Sequence, residues 1–438
     1  MTAPPFTCDL RAHNREREVV VRDTTVERHT TGAEDVGAIP LNKLDPGHPR
    51  RFQSNTFGPV FERLRREAPV HYTRESMFGP YWSVSCYRDI IQVEANHAVF
   101  SSESRDGSIS LRDARPGFRM PMFIAMDPPK HDLQRAVVNP VAVPANVARL
   151  EGEIRARASA ILDALPRGET FDWVEHVSIE LTTQMLAILF DFPWEDRRKL
   201  TRWSDVATAL PGGGIVESDE QREDELRECL TCFTALWNER MNAEPRGDLI
   251  SMMAHAEATR HMEPMEYLGN LILLIVGGND TTRNSISGGL LALNQNPDQY
   301  RKLREDPALI ASMVPEIIRW QTPIAHMRRT AVADFELGGQ RIRTGEKVIM
   351  WYVSANRDPG AIDDPDSFII DRARPKKHLS FGFGIHRCLG ERLAEMQLRV
   401  VWEEVLRRYP LIEVVGEPKR VFSSFVNGYE TLPVRIPA

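Results

Sequence analysis

Ten residues near the C-terminus constrain this chain more than any other part: Phe381-Gly382-Phe383-Gly384-Ile385-His386-Arg387-Cys388-Leu389-Gly390. They set one cysteine at the tip of a glycine-rich loop, directly before a strongly helical segment from Glu391 to Arg408. Backbone N–H groups of such a loop and the positive end of the helix dipole both favour a thiolate. The expectation is a sulfur held deprotonated and open to a soft metal. Gly382 and Gly384 carry no side chain, so a flat ligand can lie against the loop backbone. The plainer alternative is an inert buried cysteine in a turn, the usual state of a free thiol.

A length of 438 residues would allow about three domains. No linker, repeat or low-complexity run divides the chain, so one large, mainly helical unit over residues 46–438 is expected. Residues 1–45 read as an irregular, charged arm, poorest in apolar periodicity from Glu16 to Gly32. A net charge of −7 argues against general nucleic-acid affinity. The longest apolar run in the likeliest spanning candidate, Leu271 to Val276, is far too short to cross a bilayer. With neither a signal peptide nor an anchor helix, a cytoplasmic protein without a membrane anchor is expected. Five scattered cysteines imply no disulfide framework. Cys229 and Cys232 fall on an expected helix over 218–240, capped by Ser218, and read as neighbours on a buried face rather than half a zinc site.

Residues 263–296 form the clearest helix. Pro264 suits a first turn and Asn296-Pro297 ends the run. At 1.5 Å per residue it would span roughly 50 Å, with Leu268, Leu271, Ile272, Ile275, Leu290 and Leu293 buried. Gly277-Gly278-Asn279-Asp280-Thr281-Thr282 breaks the pattern. Two mid-helix glycines cost about 1 kcal/mol each against alanine, and a buried acid costs more unless paired. Gly277 and Gly278 would thin the helix for a planar group, while the Thr281 hydroxyl can bond the Gly277 carbonyl one turn back. Elsewhere, Asp127-Pro128-Pro129 reads as an N-cap with prolines in the first turn. His131 and Arg135 would share the face that follows. Glu316 and Arg319, three apart on a helix, can pair, and Pro315 between them and the helix start should bend it.

The cysteine loop matches, without a gap, the Phe-Gly-x-Gly-x-His-x-Cys-x-Gly run of the cytochrome P450 superfamily. Gly277 to Thr282 resembles that family's Gly-Gly-x-Asp/Glu-Thr-Thr stretch. The resemblance implies the α+β, mainly α, cytochrome P450 fold, with a long central distal helix and small β-sheets. It implies haem b (iron protoporphyrin IX) with the axial thiolate of Cys388 as metal ligand, and Gly278, Phe381 and Gly390 against the cofactor. His131, Arg135, Arg329 and His378 match propionate partners, and His386 sits where a further one often lies. Asp280 would relay protons that Thr281 presents to dioxygen. Glu316, Arg319 and Arg372 match a structural clamp behind the loop.

The implied reaction is a monooxygenation: substrate, dioxygen, two protons and two electrons give alcohol and water, with the thiolate favouring O–O cleavage. No GxGxxG fingerprint stands in a strand–helix setting, so electrons should come from a ferredoxin served by an NAD(P)H-dependent ferredoxin reductase. A cationic cluster of Arg372, Arg374, Lys376, Lys377, Arg387, Arg392 and Arg399 would steer that partner to the cysteine side. Met122, Phe123, Leu273, Val276, Gly277, Ile324, Ala325, Phe425 and Val426 should line an apolar distal pocket with no charged anchor near the iron. Stretches 124–131, 276–284 and 348–358 are similar to the soluble bacterial alkane and fatty-acid terminal hydroxylases. That branch implies ω-hydroxylation of medium-chain n-alkanes or fatty acids. Steroid or terpenoid hydroxylation, a peroxide-driven relative and a non-catalytic haem sensor stand as alternatives.

Overall fold

In the computed structural model, which describes residues 35–103 and 108–438, one helix organises the rest. It runs unbroken over Pro264–Gln295, with proline in its first turn. At its far end the Asn296 N–H closes on the carbonyls of Ala292 and Leu293. Helices Glu180–Phe190, Arg198–Thr208, Asp219–Met241, Ile310–Gln321 and Glu391–Arg408 all pack on it. The apolar core divides along its length. Leu268 to Ile275 join a cluster with Trp203, Phe233 and Phe190, and Ile286 to Leu293 join another with Trp173 and Trp402. The polar stretch 277–284 lies between the two, so the break in hydrophobic pattern marks a break in the core.

The principal sheet places Val70–Thr73, Tyr81–Val84, Lys347–Met350, Met327–Ala331 and Phe100–Ser101 side by side in that order. All its pairings are antiparallel except that of Tyr81–Val84 with Lys347–Met350, where Trp82 faces Val348. Smaller sheets join Thr170–Asp172, Pro433–Arg435 and Glu413–Val414, and two hairpin-like pairs lie at 335–342 and 419–431. The small β-sheets that the resemblance implies are present. Phe100–Ser101 and Thr170–Asp172 were not foreseen, because two or three residues carry no periodicity. This is the mainly helical α+β fold.

Of the expected arm, residues 1–34 lie outside the described residues, as does Cys8. The described part, from Asp35, makes two short turns whose Val36, Ile39 and Leu41 pack beside Phe52, Phe61 and Trp351. Ser218 does cap its helix, accepting from the Gln221 N–H. Cys229 is fully buried on that helix with Cys232 beside the same core. Asp127 is not an N-cap. The helix Lys130–Val138 starts from Pro129, and the Asp127 carboxylate accepts instead from the Ser102 N–H at 3.0 Å and the Ser101 hydroxyl. The end of the neighbouring strand offers it two donors that the helix start does not.

Candidate active site

Where the two core clusters part, a cavity of about 570 Å³ opens between the central helix and the cysteine loop. Arg135, Gly278, Thr281, Arg329, Phe381, His386, Cys388 and Gly390 line it, as do Met122, Phe123, Leu273, Val276, Gly277, Ile324 and Phe425. Ala325 and Val426 do not; both are buried in the layer behind, where Ala325 packs with Phe61 and Trp351.

The loop is shaped by two glycines at φ +66° and +68°, Gly382 and Gly384. At Gly384 a Cβ would come within 2.6 Å of the Glu94 carbonyl, so no side chain fits there. The Cys388 N–H donates to the Phe381 carbonyl at 2.8 Å, which turns the sulfur toward the cavity. Burial pushes its thiol up to about 11, against the pull of the Gly390 N–H and the arginines at 135 and 387. Without a metal the thiol form is thus favoured, although the residue itself is exposed to the cavity. Desolvation of the thiolate outweighs these dipoles and charges, and ionisation falls to the metal that binds it.

Gly277 and Gly278 differ in what they do. Nothing lies within 4 Å of a Cβ at Gly277, where the missing side chain leaves cavity. A Cβ at Gly278 would meet Leu186 at 2.7 Å, so that glycine is required by helix packing. The Thr281 hydroxyl donates to the Gly277 carbonyl at 2.8 Å, as the spacing anticipates. Asp280 does not line the cavity. It is fully buried toward the helix Arg198–Thr208, where it accepts from Arg283 at 2.8 Å and Asn279 at 3.2 Å and meets the Thr208 hydroxyl at 3.5 Å. Arg283 bridges onward to the part-exposed Asp205 at 2.9 Å. Burial pushes the Asp280 carboxyl up to about 6 despite Arg283. Arg283 escaped the sequence reading although its i, i+3 offset from Asp280 was a usable signal.

The expected propionate partners split. Arg329, 3% exposed, reaches the cavity from its strand. Arg135 lines it as well and donates to the Arg387 carbonyl at 2.5 Å. His386 shares a bond with the Ser102 hydroxyl at 2.8 Å and stands edge-on to His131, ring centres 4.4 Å apart. His131 lies behind it, bonded to Asp132. His378 is corrected: it does not line the cavity. Its ring packs on Phe381, its Nδ1 accepts from the Ser380 N–H, and burial lowers it to about 3. Glu94 was missed. This buried acid lines the cavity, accepts from the Tyr352 hydroxyl at 2.5 Å, and lies 3.7 Å from Arg329. Burial raises it to about 7. No periodicity distinguishes it from a surface glutamate.

Behind the loop, all five N–H donors of Arg319 are used. Two go to the Glu316 oxygens at 2.7 Å, and three to the carbonyls of Asn356, Pro365 and Ser367. Arg372 completes the group at 3.0 and 3.2 Å from Glu316.

The cationic cluster is not bare. Arg372 is buried on Glu316, Arg374 pairs with Asp363, Lys376 with Glu395, Arg387 with Glu391, and Arg399 with Glu151 and Glu403. Most of its charge is met locally. At a second hollow reached by Cys388, Arg135 and Arg392 join the Lys376–Glu395 and Arg387–Glu391 pairs, so that four cations stand there with two carboxylates.

The residues present fit a haem. Nδ1 of His386 and Oε2 of Glu94 are buried without partners at the cavity, and Nε2 of His131 is likewise without one just behind His386, as expected where a polar cofactor edge belongs. Gly277 and Gly390 leave open space against it, and a thiol faces it from the loop. A cysteine sulfur below an apolar cavity, under a helix that carries a threonine alcohol on its cavity side, defines a haem-thiolate protein.

Residues 169–429 match the family model "Cytochrome P450", and the chain belongs to that superfamily. It is a haem monooxygenase that uses haem b with a cysteine thiolate, dioxygen, a redox partner and an apolar substrate. Among solved structures it is similar to CYP153D17 from Sphingomonas sp. PAMC 26605, with 50% identity, 91% of this chain and 100% of that one covered, and a TM-score of 0.85. It is 36% identical to linalool 8-monooxygenase of Pseudomonas putida over 90% of this chain and 99% of the relative. It is 31% identical to the methyl-branched lipid omega-hydroxylase of Mycobacterium tuberculosis, covering 86% and 90%. Among the described residues, no helix is long and apolar enough to cross a membrane.

Proposed function

We propose that this monooxygenase hydroxylates the terminal carbon of medium-chain aliphatic substrates, with electrons from a ferredoxin. The observation that carries the reading is the cavity lining. Val276, Leu273, Ile324, Phe123, Met122 and Phe425 present apolar surface around the space above Cys388. A chain inserted end-on offers its terminal methyl first. Because a primary C–H bond is stronger than a secondary one, such selectivity must come from positioning. The relative named as an omega-hydroxylase acts at a chain end, which supports the same outcome here.

When bound, haem supplies the activation of dioxygen and the oxidation of the C–H bond. The chain's own residues do the rest. Cys388 ligates the metal; Arg135, Arg329, His131 and His386 offer donors for the propionates. Asp280, Arg283 and Asp205 form a polar path from the surface to the back of the central helix, and the Thr281 hydroxyl carries the proton function on the cavity side. Glu316, Arg319 and Arg372 hold the segment that leads into the loop.

With ferredoxin, its reductase and NAD(P)H, dodecane and dodecanoic acid are expected to give mainly the ω-alcohol by mass spectrometry. Mainly internal alcohols, or no turnover of either, would refute the assignment. Terpenoid hydroxylation is the second reading, favoured by the linalool-oxidising relative; preferred turnover of a terpene alcohol decides for it. The hollow beside Cys388, four cations against two carboxylates, suits an acidic ferredoxin. Its reduction of the haem should slow as ionic strength rises, and a rate unchanged at high salt excludes this face.

A further inference from the structure

The surface end of the cavity carries an arginine that forms no ion pair among the described residues. Asp113, Arg115 and Arg119 line the cavity and are exposed, so it reaches the surface there. The first turns of the helix Asp219–Met241 close one side of this mouth. Arg112 pairs with Asp219, and Arg115 with Glu220 and Glu223 at 2.5 and 3.3 Å. Arg222 lies between these pairs and also lines the cavity. Its Nη2 donates to the Ala207 carbonyl at 2.9 Å, and its Nε is buried with no partner. Among the described residues no carboxylate comes within ion-pairing distance of it. Asp219 and Glu223, its acidic neighbours, are taken by other arginines. Burial and the nearby Arg112 lower it to about 10, so it stays charged at neutral pH.

We propose that Arg222 anchors the carboxylate of a fatty-acid substrate at the surface end of the cavity, making the acid, rather than the hydrocarbon, the preferred ligand. The inference rests on the aliphatic-hydroxylase reading above and narrows its substrate class. A half-buried guanidinium whose Nε is shut from water with no acceptor is costly, and an incoming carboxylate satisfies both its charge and its free N–H. A methyl ester or an alkane of equal length fills the same apolar lining and leaves that donor unpaired. With the acid group held at the mouth, the other end of the chain is the end that travels inward toward Cys388. Anchor and terminal selectivity thus share one cause.

The test is titration of the holoenzyme with dodecanoic acid, its methyl ester and dodecane, reading the substrate-induced spin-state shift. The acid should bind about tenfold to a hundredfold more tightly than the ester. In Arg222→Leu that preference should collapse toward unity, and Arg222→Lys should retain part of it. The reduced carbonyl spectrum of each variant shows that the haem site is intact. Equal affinities for acid and ester in the wild type overturn the proposal. So does an equal loss for both in the leucine variant, which would make Arg222 a tether for the Ala207 carbonyl only. If ester and alkane shift the spin state without any advantage for the acid, the anchor alone fails. If no aliphatic ligand does, the aliphatic reading fails with it.

Discussion

Replacing Cys388 with serine is expected to abolish the thiolate signature of the reduced carbonyl complex and to lower hydroxylation on the order of a thousandfold or more. The loop would survive the change. Its shape comes from positive φ at Gly382 and Gly384 and from the bond between the residue-388 N–H and the Phe381 carbonyl, none of which uses sulfur. What is lost is a polarisable anion at a position where the surroundings disfavour charge, since burial already drives the native thiol upward. A metal-bound cysteine ionises under those conditions far more readily than an alcohol does. The variant should therefore fold, and a haem that it retains should lack the electron push that favours O–O cleavage. A serine variant with unchanged carbonyl spectrum and turnover would show that another residue is the ligand.

Arg319→Ala should destabilise the protein by about 3–5 kcal/mol, a large share of the roughly 5–15 kcal/mol typical of a folded domain. Both partners are fully buried, so truncation leaves the Glu316 carboxylate with Arg372 and the Ile369 N–H and without its closest counter-charge. It also orphans the Asn356 carbonyl, and leaves those of Pro365 and Ser367 to Arg357 and Arg372 alone. The damage should extend to the haem site. The Asn356 side chain accepts from the Leu379 N–H and donates to the Ser380 hydroxyl, which in turn bonds the Ile318 carbonyl. Those residues lead directly into the cysteine loop, so haem retention should fall together with stability. Lysine cannot substitute, because three donors on one nitrogen cannot reproduce a five-donor planar fork. Chemical denaturation and the haem-to-protein ratio read both effects. An alanine variant with wild-type values for each would remove the clamp role.

Much of the candidate site was legible because it depends on short, rigid spacings. The cysteine loop needs glycines at fixed offsets. Thr281 reaches the Gly277 carbonyl because one helical turn puts it there, and Glu316 meets Arg319 for the same reason. Side-chain direction was less legible. Asp280 was expected to relay protons to Thr281, and the side its carboxylate takes, away from the cavity where Arg283 and Thr208 receive it, could not be read from spacing. His378 precedes the loop but points into the core against Phe381. The cationic cluster looked bare because carboxylates near it in space, such as Glu151 and Glu395, are distant or unremarkable in sequence.

By itself, the amino-acid order determined where the sulfur stands, which helix crosses the protein and where that helix is interrupted. Those features arise within a turn or a loop, and local backbone geometry is enough to produce them. Only the tertiary structure decided that the interruption lies between two separate hydrophobic clusters and so opens a cavity. It likewise decided that Glu94 enters the site and that Arg222 reaches the cavity mouth with no carboxylate, among the described residues, at ion-pairing distance. Each of these outcomes depends on which residues remote in the chain come to lie beside the group, and on whether they bring charge or remove water. No spacing along the chain encodes that.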